Sequence, residues 1–290
     1  MLSTSPAPGH LWIVATPLGN PGDLSPRARE VLAGADLILA EDTRRAGLLC
    51  SQCNIPARRF LSFHDHNESE RQEEVLRLLR QGQNLALVSD AGTPLLADPG
   101  YRLVRACRAE GLPVSPVPGP SAPVTALSAA GIPPLPYTFL GFLPRDAAGR
   151  RATLSAFART PGSLIFFERK DRLRESLAQA AELLGPRAVA VCRELTKTHE
   201  EFILGRLEKW QELPEELLGE ITVIIGPPEQ KERADEAGRS GDEDLSISHS
   251  YHLVSFKQVA CIDLVRHVRE IITPAVGDDH VAAGLEGLQV

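Results

Sequence analysis

The stretch S-D-A-G-T-P-L-L-A-D-P-G (Ser89–Gly100) carries two prolines, two glycines and two aspartates directly after an apolar run, N-L-A-L-V (Asn84–Val88). A bare strand-to-helix connection needs one turn residue, not six. Glycine lets a backbone approach a ligand closely, and proline stiffens a loop by fixing φ. Two further stretches have the same character. T-P-L-G-N-P-G-D (Thr16–Asp23) follows L-W-I-V-A, and P-G-P-S-A-P (Pro118–Pro123) follows L-P-V-S-P-V. Together they make a preformed surface of amides and carbonyls. None is a GxGxxG followed by an acid about twenty residues on, nor a GxxxxGK[ST], so dinucleotide and triphosphate readings lose support. The loops are not basic. Neutral backbone with Asp90 nearby suits a ligand without phosphates and with a positive or hydroxyl-rich part. Simple tight turns would explain one such loop more readily than three at neighbouring strand ends.

Two more stretches could carry chemistry. E-D-T-R-R (Glu41–Arg45) ends an apolar run, and F-H-D-H-N-E (Phe63–Glu68) precedes a helical pattern. Both have a plain alternative as helix caps, with Asp42, or with Asp65 or Asn67, in the capping role. His64 and His66 lack the further ligands a zinc site needs. Cys50 and Cys53 make a lone CxxC, C-S-Q-C, which reads as one face of a helix. The five cysteines are odd in number and scattered, as expected of reduced, cytoplasmic thiols.

The elements that must position these loops follow from the hydrophobic pattern. Leu11–Ala15, Asp36–Glu41, Asn84–Asp90 and Leu112–Gly119 predict strands. Ser25–Ala35 (N-cap Ser25, Pro26 at the first turn), Glu68–Gly82 and Gly100–Gly111 predict helices. Fully apolar strands in this rhythm imply a parallel sheet covered on both faces. The proline-rich Gly131–Arg145 reads as a linker. A second αβ set follows, with helices near 150–159 and at 171–184, and strands at Ser163–Glu168, Ala188–Leu195 and Gly219–Gly226. The expected organisation is a domain over 1–135, a second over 136–228, and an acidic tail over 229–290. In that tail 230–244 reads as disordered and 246–272 as a satellite strand and helix.

The chain has 290 residues, 43% of them hydrophobic, enough for real cores. No apolar run approaches a membrane span and the first ten residues do not read as a secretory signal, so a cytoplasmic protein is expected. The net charge is −7, but residues 1–227 hold 25 basic and 26 acidic side chains, and 228–290 hold 6 and 12. The body is nearly neutral, so local arginine clusters matter more than the total.

L-W-I-V-A-T-P-L-G-N-P-G-D-L-S, A-E-D-T-R, F-H-D-H-N-E, A-L-V-S-D-A-G-T-P-L-L-A-D-P-G, P-V-P-G-P-S-A and R-E-L-T-K resemble the small-subunit (16S) ribosomal RNA ribose 2′-O-methyltransferases. These belong to the tetrapyrrole-methylase-like, class III enzymes. The resemblance runs from about residue 11 to residue 226. It implies an α/β fold of two αβ domains, with S-adenosylmethionine folded in the cleft between them and no metal. Asp90, Gly92, Thr93, Pro94 and Leu95 would wrap the donor, and Leu18 with Gly19 would floor the cleft. Ser121 and Ala122 would flank the methionine end. Phe167, Glu168, Glu194 and Leu195 would face the adenosine.

Methyl transfer to a ribose hydroxyl needs in-line positioning and a route for the proton. Asp42, His64 and Lys197 are the catalytic candidates, and the sequence does not rank them. Glu41, Thr43 and Asn67 would sit on the RNA side. Arg44, Arg45, Arg58, Arg59, Arg145, Arg150 and Arg151 would contact phosphates as a cluster. The resemblance implies the small ribosomal subunit as partner, a decoding-region cytidine as acceptor, and a homodimer. A tetrapyrrole C-methyltransferase is the nearest alternative, but it would favour G-x-G-P-G-D in the first loop and G-D-P in the second. A non-enzymatic binding module on the same scaffold is the other.

Overall fold

The structure is a computed structural model that describes residues 7–56 and 59–229. The first five strands are β1 (Leu11–Val14), β2 (Leu37–Ala40), β3 (Phe60–Ser62), β4 (Leu85–Val88) and β5 (Val114–Val117). They form one parallel sheet in the order β3-β2-β4-β1-β5. β2 and β4 are buried at every position, as strands covered on both faces must be.

Helices α1 (Pro26–Gly34) and α2 (Thr43–Gln52) cover one face, where Leu32 and Cys50 meet Val14, Ile38 and Val88. Helices α3 (Glu68–Arg80) and α4 (Tyr101–Ala109) cover the other, where Leu79 and Leu103 meet Leu11, Leu39 and Leu87. The cap expected at Ser25 is present: its Oγ accepts from the Ala28 amide at 3.1 Å. Cys50 of α2 and Cys53, its C-cap, are both buried against this core.

The second sheet holds β6 (Tyr137–Phe142), β7 (Ser163–Glu168), β8 (Ala188–Arg193), β9 (Glu201–Arg206) and β10 (Ile221–Ile225). Its order is β6-β7-β10-β8-β9. Only β6 and β7 run parallel; the other pairs are antiparallel. Helices α6 (Ala147–Ala156) and α7 (Leu173–Leu184) pack together on it, and α5 (Ala122–Ala129) reaches it from the first half. Ala126 of α5 and Ala130, its C-cap, meet Ile165, Ala190 and Ile224. The described residues up to 229 belong to one compact unit.

The linker expected over Gly131–Arg145 is corrected, because β6 lies within it. Pro133, Pro134 and Pro136 precede the strand and Pro144 follows it, and β6 is an edge strand with a register shift between Phe139 and Phe142, where an irregular sequence is tolerated. The calls on 230–244 and 246–272 lie outside the described residues, as does Arg58.

Arg187 bolts the far end of the second sheet. It is 2% exposed and donates to the carbonyls of Leu184, Ala158 and Gly226. Burial pushes its pKa down. Arg187→Ala leaves three carbonyls short of a donor and is expected to lower stability by about 3 kcal/mol in urea unfolding. A loss too small to measure would contradict this role.

Candidate active site

β1 feeds α1 on one face of the first sheet, and its neighbour β4 feeds α4 on the other. That divergence is the topological switch point where open α/β sheets bind ligands. The three loops singled out in the sequence meet there. Thr16 donates its amide to the Gly92 carbonyl at 2.8 Å, and Gly92 donates back to Thr16 at 3.0 Å. Thr16 Oγ1 donates to the Ser89 carbonyl at 3.2 Å, and Thr93 Oγ1 to the Pro120 carbonyl at 2.9 Å. Gly92 has φ +82°, and a Cβ there would stand 3.2 Å from Leu18 Cδ2. The positive φ favours glycine, and a side chain here would also have to push the Leu18 methyl back by a few tenths of an ångström.

These loops wall a cavity of about 540 Å³, within the size range of small-molecule sites. Leu18, Asp90, Gly92, Thr93, Ser121 and Ala122 line it from the first half, and Phe167 and Glu168 from the second, as the resemblance implies. Asp98, Phe142, Lys170 and Thr222 also line it and were not foreseen. Asp98 belongs to the same loop, two residues before Gly100, and the second aspartate of that stretch was the available signal. Left-handed backbone at Leu95 (φ +73°) and Ala97 (φ +69°) folds this part of the loop back onto the cavity.

Five expected donor contacts stand behind the wall instead. Pro94 is buried in the loop, and Leu95 packs beside Gly100 and the core. Gly19 is covered by the Lys197 stem, which a Cβ there would meet at 2.1 Å. Glu194 accepts from the Glu220 amide at 2.9 Å and supports Gly219, which lines the cavity. Leu195 packs with Leu18 in the core. Glu168 is held by Arg172 and Ser176, both at 2.5 Å, and by the Arg169 amide at 2.8 Å.

Electrostatics sort the catalytic candidates. Asp42 caps α2, and its carboxylate takes the Arg44 amide at 2.9 Å and the Arg44 guanidinium at 3.0 and 2.8 Å. These bonds hold its pKa well below the usual carboxylate range, so it is a poor proton acceptor. Burial alone would lower the Lys197 pKa, but its hydrogen bonds to Glu220 and Glu194, each 3.0 Å, raise it overall. It is an ammonium clamp, not a base. Neither residue borders the cavity, nor does His64, whose buried Nδ1 has no partner. Asp98 does border it, and its pKa is pushed up to about 7 by burial first and then by Glu41. Glu41 is itself raised, by burial and then by Asp90 and Asp65. Among the described residues no three potential ligands gather for a metal, and no helix is long and apolar enough to cross a membrane.

On the acceptor side Thr43 opens α2, and Asn67 braces its turn by accepting from the His64 amide at 2.8 Å and donating to the Ser62 carbonyl at 3.0 Å. Asp90 ties this side to the cavity: it accepts from the Asp42 amide at 3.2 Å and from Arg45 at 2.9 Å. Arg44 is exposed, as are Arg59 and Arg145. Arg150, expected at RNA phosphates, is corrected. It is 1% exposed, pairs with Glu175 and donates to the Arg145 carbonyl at 2.7 Å and to Gln179 at 3.1 Å. Arg151 is exposed but forked onto Glu182 at 2.6 and 2.7 Å.

The family model of the tetrapyrrole (corrin/porphyrin) methylases matches residues 10–211. The ribosomal RNA small subunit methyltransferase I of Escherichia coli O157:H7 is 50% identical over 222 residues, 75% of this chain and 77% of that one. Its namesake from Micromonospora olivasterospora is 47% identical over 233 residues, 79% and 74% of the two chains. The chain belongs to the ribosomal RNA small subunit methyltransferase I family. Among solved structures, uroporphyrin-III C-methyltransferase from Thermus thermophilus, complexed with S-adenosylhomocysteine, superposes with a TM-score of 0.56 at 21% identity, covering 75% of this chain and 97% of that one. The methyltransferase CobJ gives 0.59 at 19%, covering 76% and 94%. These two likenesses bear on the fold, which is that of the tetrapyrrole methylases.

The two neighbouring arginines separate cleanly in a stability assay. Arg150→Ala strips donors from Gln179, Glu175 and the Arg145 carbonyl and is expected to cost about 2 kcal/mol or more in chemical unfolding. Arg151→Ala, at an exposed pair, is expected to leave stability unchanged. Equal effects would show that Arg150 is not the structural member of the pair.

Proposed function

We propose that this chain transfers a methyl group from S-adenosylmethionine to a ribose 2′-hydroxyl in small-subunit ribosomal RNA, at a cytidine of the decoding region. The observation that carries the reading is the switch-point cavity, walled by neutral backbone at Gly92–Thr93 and by more carboxylates (Asp90, Asp98, Glu168, Asp171 and Glu220) than cations (Arg169 and Lys170). Such a wall suits a cation far better than a phosphate. The relatives, named as small-subunit ribosomal RNA methyltransferases, add the RNA substrate, and the resemblance of the loop motifs adds the ribose position.

The residues present fit the donor. Ser121 and Ala122 would take its methionine end, since α5 begins there without a side-chain cap on its amides. Phe167, Ile221 and Thr222 would take its apolar adenosine. The sulfonium supplies an electrophilic methyl group and leaves as a neutral sulfide, so no metal is needed to activate it. Asp98 is the group placed to hold the proton of the acceptor hydroxyl, because a carboxylate titrating near neutrality is both ionised in part and basic enough to accept it. Asp90 keeps Arg45 and the α2 terminus against the cavity, and Arg44 and Arg145 face solvent where phosphates would approach.

The nearly neutral body of residues 1–227 implies weak, salt-dependent binding of naked RNA. A folded small subunit, which presents its nucleotide already splayed out, is the better substrate. The setting is cytoplasmic. The proposed assembly is a pair of copies, as the family resemblance implies.

Purified small subunits incubated with labelled donor test the reading. The label is expected in an alkali-resistant dinucleotide, because capping the 2′-hydroxyl blocks cleavage. Label on a base, or on a tetrapyrrole offered in parallel, would overturn it. Arg44→Ala is expected to lower RNA methylation while leaving donor affinity unchanged, read by kinetics and calorimetry side by side.

The proton assignment has its own pH signature. Because Asp98 keeps its proton up to about pH 7, the methylation rate is expected to rise with pH through about 7. Asp98→Asn should lose this rise and at least about a hundredfold of the rate. The stability sign is opposite: a carboxyl whose folded pKa is raised contributes stability in acid and loses it as pH climbs through 7. A pH profile shared by wild type and Asp98→Asn would contradict the assignment.

A further inference from the structure

Two large apolar side chains stand exposed on the rim of the cavity, one from each half of the fold. Leu96 is 44% exposed and Phe142 is 55% exposed, and both border the cavity. Phe142 ends β6 just after Gly141, which has φ +66°, and just after the strand's register shift. Its ring is not loose. It lies 5.3 Å from the Phe167 ring, tilted by 59°, and Phe167 in turn meets Phe139 edge-on at 4.9 Å. Beside it Arg169 and Lys170 also line the cavity; Arg169 is held by Asp171, and Lys170 is exposed with no ion-pair partner among the described residues.

We infer, building on the methyl transfer to RNA proposed above, that Phe142 and Leu96 form an apolar shelf that takes the base of the acceptor nucleotide, with Lys170 at its adjoining phosphate. Exposing two such side chains at one opening is unfavourable unless something flat and apolar covers them. A nucleobase is such a group, and a backed aromatic ring is the surface on which bases stack. The chemistry also argues against the donor's adenine as the occupant. Phe167, Ile221 and Thr222 offer it a deeper and more buried wall, whereas the acceptor must arrive from solvent across the rim. Stacking on phenylalanine tolerates any base, so the shelf holds the splayed nucleotide and does not choose its identity.

The test compares wild type, Phe142→Ala, Phe142→Trp and Leu96→Ala on two readouts: donor affinity by calorimetry, and kcat/KM for labelled methyl transfer to purified small subunits. Phe142→Ala is expected to lower kcat/KM by about tenfold or more, with donor affinity within about twofold of wild type. Leu96→Ala should move in the same direction, and Phe142→Trp should retain activity. An unchanged kcat/KM in Phe142→Ala, or a parallel fall in donor affinity, would overturn the shelf while leaving the proposed function standing. A wild type that binds donor but methylates no small-subunit RNA would instead overturn the proposed function, and the shelf with it.

Discussion

The pair of backbone hydrogen bonds between Thr16 and Gly92 is the constraint on which the site depends. It joins the loops after β1 and β4 at the point where their helices leave on opposite faces of the sheet. Everything that lines the first-half wall hangs from that bridge. Leu18 is pressed against Gly92, Thr93 reaches across to the loop after β5, and the chain turns back so that Asp98 faces the cavity. The construction stores strain. Leu95, Ala97, Glu194 and Thr196 all adopt left-handed backbone, which costs a non-glycine residue on the order of 1 kcal/mol each. All four lie in the two loops, one from each half, that stand on or directly behind the cavity.

Charge is organised around the same bridge. Glu41 and Asp98 hold their protons more tightly than free carboxyls, through burial first and then through neighbouring carboxylates, and Asp90 is paired with Arg45. This leaves one carboxyl, Asp98, titrating near neutrality beside the cavity while Asp42, a few residues from the same cluster, is locked into the Arg44 fork. Environment, not residue type, sets the two aspartates apart. In the second half Lys197 spends its charge on Glu194 and Glu220 while its aliphatic stem roofs Gly19, so it joins loops of the two halves rather than taking part in proton transfer.

Much of this was legible in the sequence, for identifiable reasons. β1, β2 and β4 read correctly because strands buried on both faces must be apolar throughout. The loops at the strand ends stood out because their prolines and glycines have no use in a plain turn, and residues of all three line the cavity. β6 was hidden by the prolines that precede it, and β3 by its three-residue length. Arg150 looked like its neighbour Arg151, because the partners that bury it, Glu175 and Gln179, come from α7 and no local pattern announces them. Asp98 was missed for the opposite reason. It stood in the quoted loop, but its burial beside Glu41 is a tertiary fact, and without that burial it is an ordinary aspartate.

Calorimetric titration of S-adenosylhomocysteine onto wild type and Gly92→Ala tests the central claim most directly, with thermal unfolding as the control for folding. Alanine at position 92 must adopt φ +82° and press its methyl group on Leu18. The account predicts a folded variant that binds at least about tenfold more weakly than wild type. A folded variant with unchanged affinity would contradict it, because the loop after β4 would then be a turn and not the cradle of the ligand.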